Sequence, residues 1–100
     1  MDDVSYYRAQ AEKLYAYFRN VRDGLSDVNR AHWDRGMQMC ERWVRLVGLT
    51  EITEHMIKSY LDDIYAEPQP GSGWYELSYQ FKQWARHRGF AAKDRAYANP

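Results

Sequence analysis

The side chains best suited to molecular recognition in this sequence fall into two sets at helical spacing. The first set is Arg35, Gln38, Arg42 and Arg45, and the second is Tyr75, Tyr79, Lys82 and Arg86. Steps of three and four residues place each set on one side of a helix. Guanidinium groups bind phosphate in a planar, two-pronged fashion, and tyrosine rings pack against sugars or bases. The two sets therefore predict two faces that could contact a phosphate backbone.

Each set also has a simpler interpretation. The arginine set could be a solvated helix face on which Asp34 or Glu41 forms local ion pairs with nearby arginines. The mixed aromatic and basic set could be the ordinary outer face of an amphipathic helix. The sequence leaves both interpretations open beside phosphate contact.

Signals for catalysis or metal binding are weak. The stretch 71–73 contains two glycines but lacks the lysine of a phosphate-binding loop, and no serine stands at a recognisable spacing from a histidine. His32, His55 and His87 lie far apart in the chain, with no pair of cysteines near them. We therefore expect a chain that is not an enzyme by itself, with no catalytic residues, no cofactor and no metal.

Composition indicates one globular domain. The chain has 100 residues, of which 45% are hydrophobic and 16% aromatic. It carries 14 basic and 14 acidic side chains, and this neutrality counts against strong non-specific binding to nucleic acid. The excess of positive charge is local, because residues 66–100 contain five basic and three acidic side chains.

The start of the sequence, its single cysteine and the lengths of its apolar runs indicate where the protein is located. Asp2 and Asp3 follow Met1, where a signal peptide would need positive charge and an apolar stretch. Cys40 is the single cysteine, which fits a reducing compartment. The apolar runs are too short to cross a bilayer. We expect a cytoplasmic protein that does not enter a membrane.

Hydrophobic periodicity predicts an all-α fold, a compact bundle of four main helices over the single domain 1–100. The predicted helices span about 4–22, 28–47, 54–65 and 74–88, followed by a tail over 90–100. Thr53 is the expected N-cap of the third helix, and Gly89 with Phe90 predicts a Schellman ending of the fourth. The expected buried stripes of the first two helices comprise Val4, Tyr7, Ala11, Leu14, Phe18 and Val21, and then Trp33, Met37, Cys40, Val44 and Val47, with Trp43 on the flank.

Three segments carry a family resemblance. They are the helix end 40–48, the stretch 49–61 with its capped helix and Tyr60-Leu61, and the C-terminal run from Leu77 through Trp84 and Gly89 to Asn99-Pro100. From Trp33 onward this order resembles the N-terminal core-binding domain of tyrosine recombinases and phage integrases, a SAM-like helical module. In that family an Asn-Pro commonly marks the passage to the catalytic domain, so we expect the front module of a longer protein.

The resemblance implies a role in DNA recombination and integration. In such site-specific recombinases the helical module and the catalytic domain clamp duplex DNA from opposite sides, and the catalytic Arg, Lys, His and Tyr residues lie in the second domain. The second and fourth helices here would then face DNA and would contribute the two sets of side chains named above. Other recombinase protomers are further possible partners.

The rival hypothesis is a small helical protein that binds another protein, such as a phage-type inhibitor, adaptor or subunit. Neutral charge together with many Tyr, Trp and Arg residues is typical of protein interfaces. The expected anchors are Tyr6, Tyr15, Tyr17 and Tyr97.

Overall fold

The part of the chain that the structure describes folds into four helices, as the periodicity predicts. The structure, a computed structural model, describes residues 3–67 and 71–90. The helices are α1 (Asp3–Asp23), α2 (Asp27–Val47), α3 (Glu54–Tyr65) and α4 (Gly71–His87). The predicted boundaries agree with these to within one turn. The predicted tail, apart from Phe90, lies outside the described residues, as do Tyr97 and Asn99-Pro100.

Helices α1 and α2 form an antiparallel hairpin. The ring of Phe18 near the end of α1 lies 5.7 Å from Trp33 near the start of α2, and Tyr7 lies 6.2 Å from Trp43 at the opposite end. Gly36 permits this packing, since a Cβ there would stand 2.3 Å from Cδ1 of Phe18. A glycine inside a helix costs about 1 kcal/mol relative to alanine. Here the missing Cβ makes room for a buried aromatic ring.

Helices α3 and α4 complete the core. Trp74 of α4 packs on Phe18 at 5.4 Å between ring centroids, and Phe81 stacks on Tyr60 of α3 at 4.0 Å. The Tyr60 hydroxyl donates a 2.6 Å hydrogen bond to the carbonyl of Met39 in α2. Tyr60 therefore joins α2, α3 and α4 in one buried contact.

The buried side of α2 differs from the predicted stripe. Trp43, expected to reach the core from the flank of the stripe, is completely buried and lies within the buried face itself, whereas Trp33, Met37 and Val44 are only partly buried. Because α4 packs on Trp43 through Phe81 and α3 contacts α2 through Tyr60, in addition to α1, the buried face of α2 is centred on Cys40, Trp43 and Val47. On α1 the expectation for Val4 is also wrong, since it is 40% exposed near the start of the helix.

The predicted helix ends of α3 and α4 are confirmed. The Thr53 hydroxyl accepts a hydrogen bond from the Met56 amide at 3.2 Å. At the end of α4, Gly89 has φ of 92° and the Phe90 amide donates to the Ala85 carbonyl at 2.9 Å, which is the Schellman pattern. Arg88 donates from Nη2 to the carbonyls of Leu49 at 3.2 Å and Thr50 at 2.9 Å. That contact ties the end of α4 to the α2–α3 loop.

Candidate nucleic-acid interface

Two side chains of the arginine set of α2 face open solvent, and the other two lie at the seam, the line of contact between α2 and the chain of α3 and the residues just after it. Gln38 and Arg45 are exposed on the outer side of the helix. Arg35 and Arg42 lie toward α3, where each meets a carboxylate from that helix or the residues just after it. The predicted face therefore exists, but half of it is shared with acidic partners.

Arg35 belongs to a compact ion-pair cluster. Its guanidinium donates to both carboxylate oxygens of Glu67, from Nε at 2.7 Å and from Nη2 at 3.1 Å. The same carboxylate lies 2.9 Å from Nδ1 of His32, and its side chain is only 8% exposed. The hydrogen bond to Glu67 raises the pKa of Arg35 above its ordinary value. Arg35 thus anchors the chain after α3 onto the first half of α2.

Arg42 makes a second link along the same seam. Its Nη1 lies 2.7 Å from Oδ2 of Asp63, and its guanidinium carbon lies 5.3 Å from the centroid of the Tyr60 ring. Both partners remain partly open to solvent, with side-chain exposures of 36% and 53%. An exposed pair of this kind is worth at most about 1 kcal/mol. A phosphate could therefore compete with Asp63 for Arg42 at modest cost.

The local ion pairs considered for α2 do not form as the sequence suggested. Asp34 pairs with Arg22 of α1, whose Nε lies 2.9 Å from Oδ1, and so supports the helical hairpin. This hydrogen bond is the main reason that the pKa of Arg22 is raised. The carboxylates that hold Arg35 and Arg42 come from far along the chain. Sequence spacing within α2 contains no signal for either of them.

The set on α4 is exposed at three of its four positions. Tyr75 is 62% exposed, Tyr79 is 48% exposed, and Arg86 is exposed near the end of the helix. Lys82 is only 7% exposed, so its expected place on the outer face is wrong. It lies on the flank of α4 that packs toward α3, and its Nζ is 6.0 Å from the centroid of the Tyr65 ring. The accessible strip of α4 is therefore Tyr75, Tyr79 and Arg86.

The tyrosines of the rival hypothesis lie mostly on α1. Tyr6 is 43% exposed and Tyr17 is 38% exposed. Tyr15 is partly buried, with the guanidinium carbon of Arg19 6.0 Å from its ring centroid. Tyr97 lies outside the described residues. Two of the four expected anchors are thus available on the surface of the hairpin.

Three further features of the described residues concern metal binding, membrane crossing and the reactivity of the single thiol. Within 3–67 and 71–90, no group of three or more histidine, cysteine or acidic side chains is placed to hold a metal ion. Among the same residues no helix has the length and apolar character needed to cross a membrane. The thiol of Cys40 is buried, and desolvation raises its pKa to about 12, so it is a poor nucleophile at neutral pH.

Comparison with known proteins does not assign the chain to a family. No protein-family model, curated protein or solved structure matched this chain.

Proposed function

We propose that this chain is a DNA-binding module of the kind found in tyrosine site-specific recombinases, non-catalytic by itself, and that it contacts duplex DNA through α2 and α4. The proposal rests on two strips of exposed side chains, one on each of these helices. Gln38 and Arg45 lie on the exposed side of α2, and Tyr75, Tyr79 and Arg86 lie on the exposed side of α4. Arginine and tyrosine are suited to the phosphates and sugars of a nucleic-acid backbone.

The ion pairs of Arg35 and Arg42 determine how many phosphate contacts are expected. Arg45 and Arg86 are both exposed, and Arg35 and Arg42 are paired with Glu67 and Asp63, which each must release to contact a phosphate. Each phosphate neutralised contributes about −0.9 to the slope of log affinity against log salt concentration. Contacts from Arg45 and Arg86 alone predict a slope of about −2, and recruitment of Arg35 and Arg42 predicts about −4. Both values correspond to few phosphate contacts, as expected for one half of a clamp.

The test is a titration of a labelled pool of DNA duplexes over a range of salt concentrations. The double variant Arg45→Ala with Arg86→Ala should flatten the slope by about two units, because two phosphate contacts are removed. A matched control is Lys13→Ala with Arg19→Ala, which removes two exposed cations from α1 and should leave the slope unchanged. Absence of binding by the parent chain at low salt, or equal flattening by the control, would contradict the proposal.

A protein partner is the second candidate function, favoured by the exposed rings of Tyr6 and Tyr17 on α1. Large rings in this position commonly supply the central contacts of protein interfaces. A pull-down that recovers one stoichiometric protein, and loses it in the variant Tyr6→Ala with Tyr17→Ala, supports this candidate. If the same variant retains salt-dependent DNA binding, the two surfaces are separate.

A further inference from the structure

An open groove of about 450 Å³ lies between the second half of α2 and the first half of α3. Its apolar lining comes from Leu46, Leu49 and Met56. Leu49 is 43% exposed, so its side chain is open to contact with an apolar group of a partner. Methionine adapts its shape readily and is common on surfaces that accept apolar side chains. The groove is therefore shaped to receive an apolar anchor.

The polar lining of this groove is basic. Arg42, Arg45 and His55 surround the apolar residues, and none of the described residues that line the groove is a carboxylate. Two other grooves differ in this respect: one contains Glu12 and Glu41 beside Arg45, and another contains Glu76 beside Lys13. Charge thus distinguishes the α2–α3 groove from its neighbours.

The two arginines contribute differently to this charge. Arg42 is paired with Asp63, so its charge is largely compensated. Arg45 is exposed, and among the described residues no carboxylate lies within ion-pair distance of it. His55 adds a ring that can donate a hydrogen bond from the opposite side. An incoming carboxylate would find its strongest partner in Arg45.

We propose that the α2–α3 groove is a docking site for an acidic, amphipathic segment of a protein partner, which places an apolar side chain on Leu49 and Met56 and a carboxylate on Arg45. The apolar floor of the groove (Leu46, Leu49 and Met56) and its basic rim (Arg42, Arg45 and His55) together favour this occupant over nucleic acid. Nucleic acid would present phosphates to the rim but would place no apolar side chain on the floor. Electrostatic complementarity of this kind fixes the orientation of a segment and selects against basic competitors. This inference does not depend on DNA binding, although Arg45 belongs to both surfaces.

The experiment uses a fluorescently labelled helical peptide that has leucines on one face and glutamates on the other. Its binding to the chain is followed by fluorescence anisotropy without DNA. We expect saturable binding that weakens about tenfold or more in Leu49→Glu and in Arg45→Glu, because each removes one of the two anchoring interactions. Lys13→Glu makes the same charge change as Arg45→Glu on α1 and should bind the peptide as the parent does. A peptide with glutamine in place of glutamate should bind at least about tenfold more weakly.

Several results would overturn the proposal. They are no binding at low salt, equal affinity for the glutamate and glutamine peptides, or equal loss in Lys13→Glu and Arg45→Glu. If the groove is instead covered by a second copy of the chain, sedimentation will show a dimer that Leu49→Glu dissociates, and the peptide will not bind. Circular dichroism of each variant verifies that the fold is retained. Because DNA is absent, failure here leaves the salt-dependence test of the proposed function unaffected.

Discussion

The substitution Gly36→Ala tests how α1 and α2 pack against each other. Alanine is the better helix former by about 1 kcal/mol, so helix propensity alone predicts a more stable protein. The structure predicts the opposite. The new Cβ would stand 2.3, 2.5 and 2.7 Å from three carbons of the Phe18 ring, whereas carbon atoms in contact normally lie about 3.5–4.0 Å apart. The ring or the whole helix must therefore move by about 1 Å or more.

Phe18 has little room for such a movement. Its side chain is fully buried, and its ring lies against Trp33 at 5.7 Å and Trp74 at 5.4 Å between centroids. Overpacking of a well-filled core costs about 1–3 kcal/mol, and a clash of this depth belongs at the upper end. After the gain in helix propensity is subtracted, we expect a net loss of about 2 kcal/mol, which lowers the melting temperature by about 10 °C in a domain of this size.

Urea unfolding of four variants measures this effect. Gly36→Ala should lower the urea midpoint without a change in the denaturant slope. Gly48→Ala is the matched control, because its φ of −80° is helical and the nearest atoms to its added Cβ lie at 3.6 Å. The double variant Gly36→Ala with Phe18→Leu should lose less stability than the sum of the two single variants, since the smaller side chain relieves the clash. A Gly36→Ala protein as stable as the parent would refute this account of the hairpin.

Two further predictions concern stability. The buried Cys40 thiol has a pKa of about 12 against an ordinary value of 9.0, so between these values the folded chain holds more protons than the unfolded chain, and stability falls as the pH rises. At pH 10 this loss of unfolding free energy is about 1.4 kcal/mol. Urea unfolding at pH 7 and pH 10 should therefore show a smaller fall in stability for Cys40→Ala than for the parent chain. An equal fall in both proteins would contradict the assignment to Cys40. Thr53→Ala should cost about 1 kcal/mol in thermal unfolding, because it removes the cap on Met56. Ser26→Ala should cost less, since the Ser26 side chain does not cap α2, and a larger cost there would contradict the capping argument.

Local signals in the sequence were sufficient for the helices and their ends. Thr53 caps α3 and Gly89 ends α4 because each acts on backbone groups only a few residues away. The spacing of apolar residues also placed four helices nearly correctly. These features depend on neighbours along the chain, and the sequence therefore contains what is needed to predict them.

The misplaced side chains share a different cause. Lys82 and Trp43 each lie near the boundary between the polar and apolar sides of a helix. Tyr65 of α3 lies against Lys82 and Phe81 of α4 against Trp43, and these contacts decide that both are buried. The ion pairs of Arg35 with Glu67 and Arg42 with Asp63 join residues that are far apart in sequence. Helical periodicity describes the faces of one helix at a time, and it does not indicate which residues of another helix will lie opposite them. Whether the exposed strips meet DNA stays a prediction.

The contact of Arg88 with the α2–α3 loop has a consequence for anything attached after Phe90. Because Arg88 binds the carbonyls of Leu49 and Thr50, the end of α4 lies beside Leu49, one of the apolar residues that line the groove. A peptide fused there through a short flexible linker would reach the groove as an intramolecular ligand, at an effective concentration of about millimolar. The end of α4 is therefore a tethering point, at which a segment whose dissociation constant is below about 1 mM would occupy the groove most of the time.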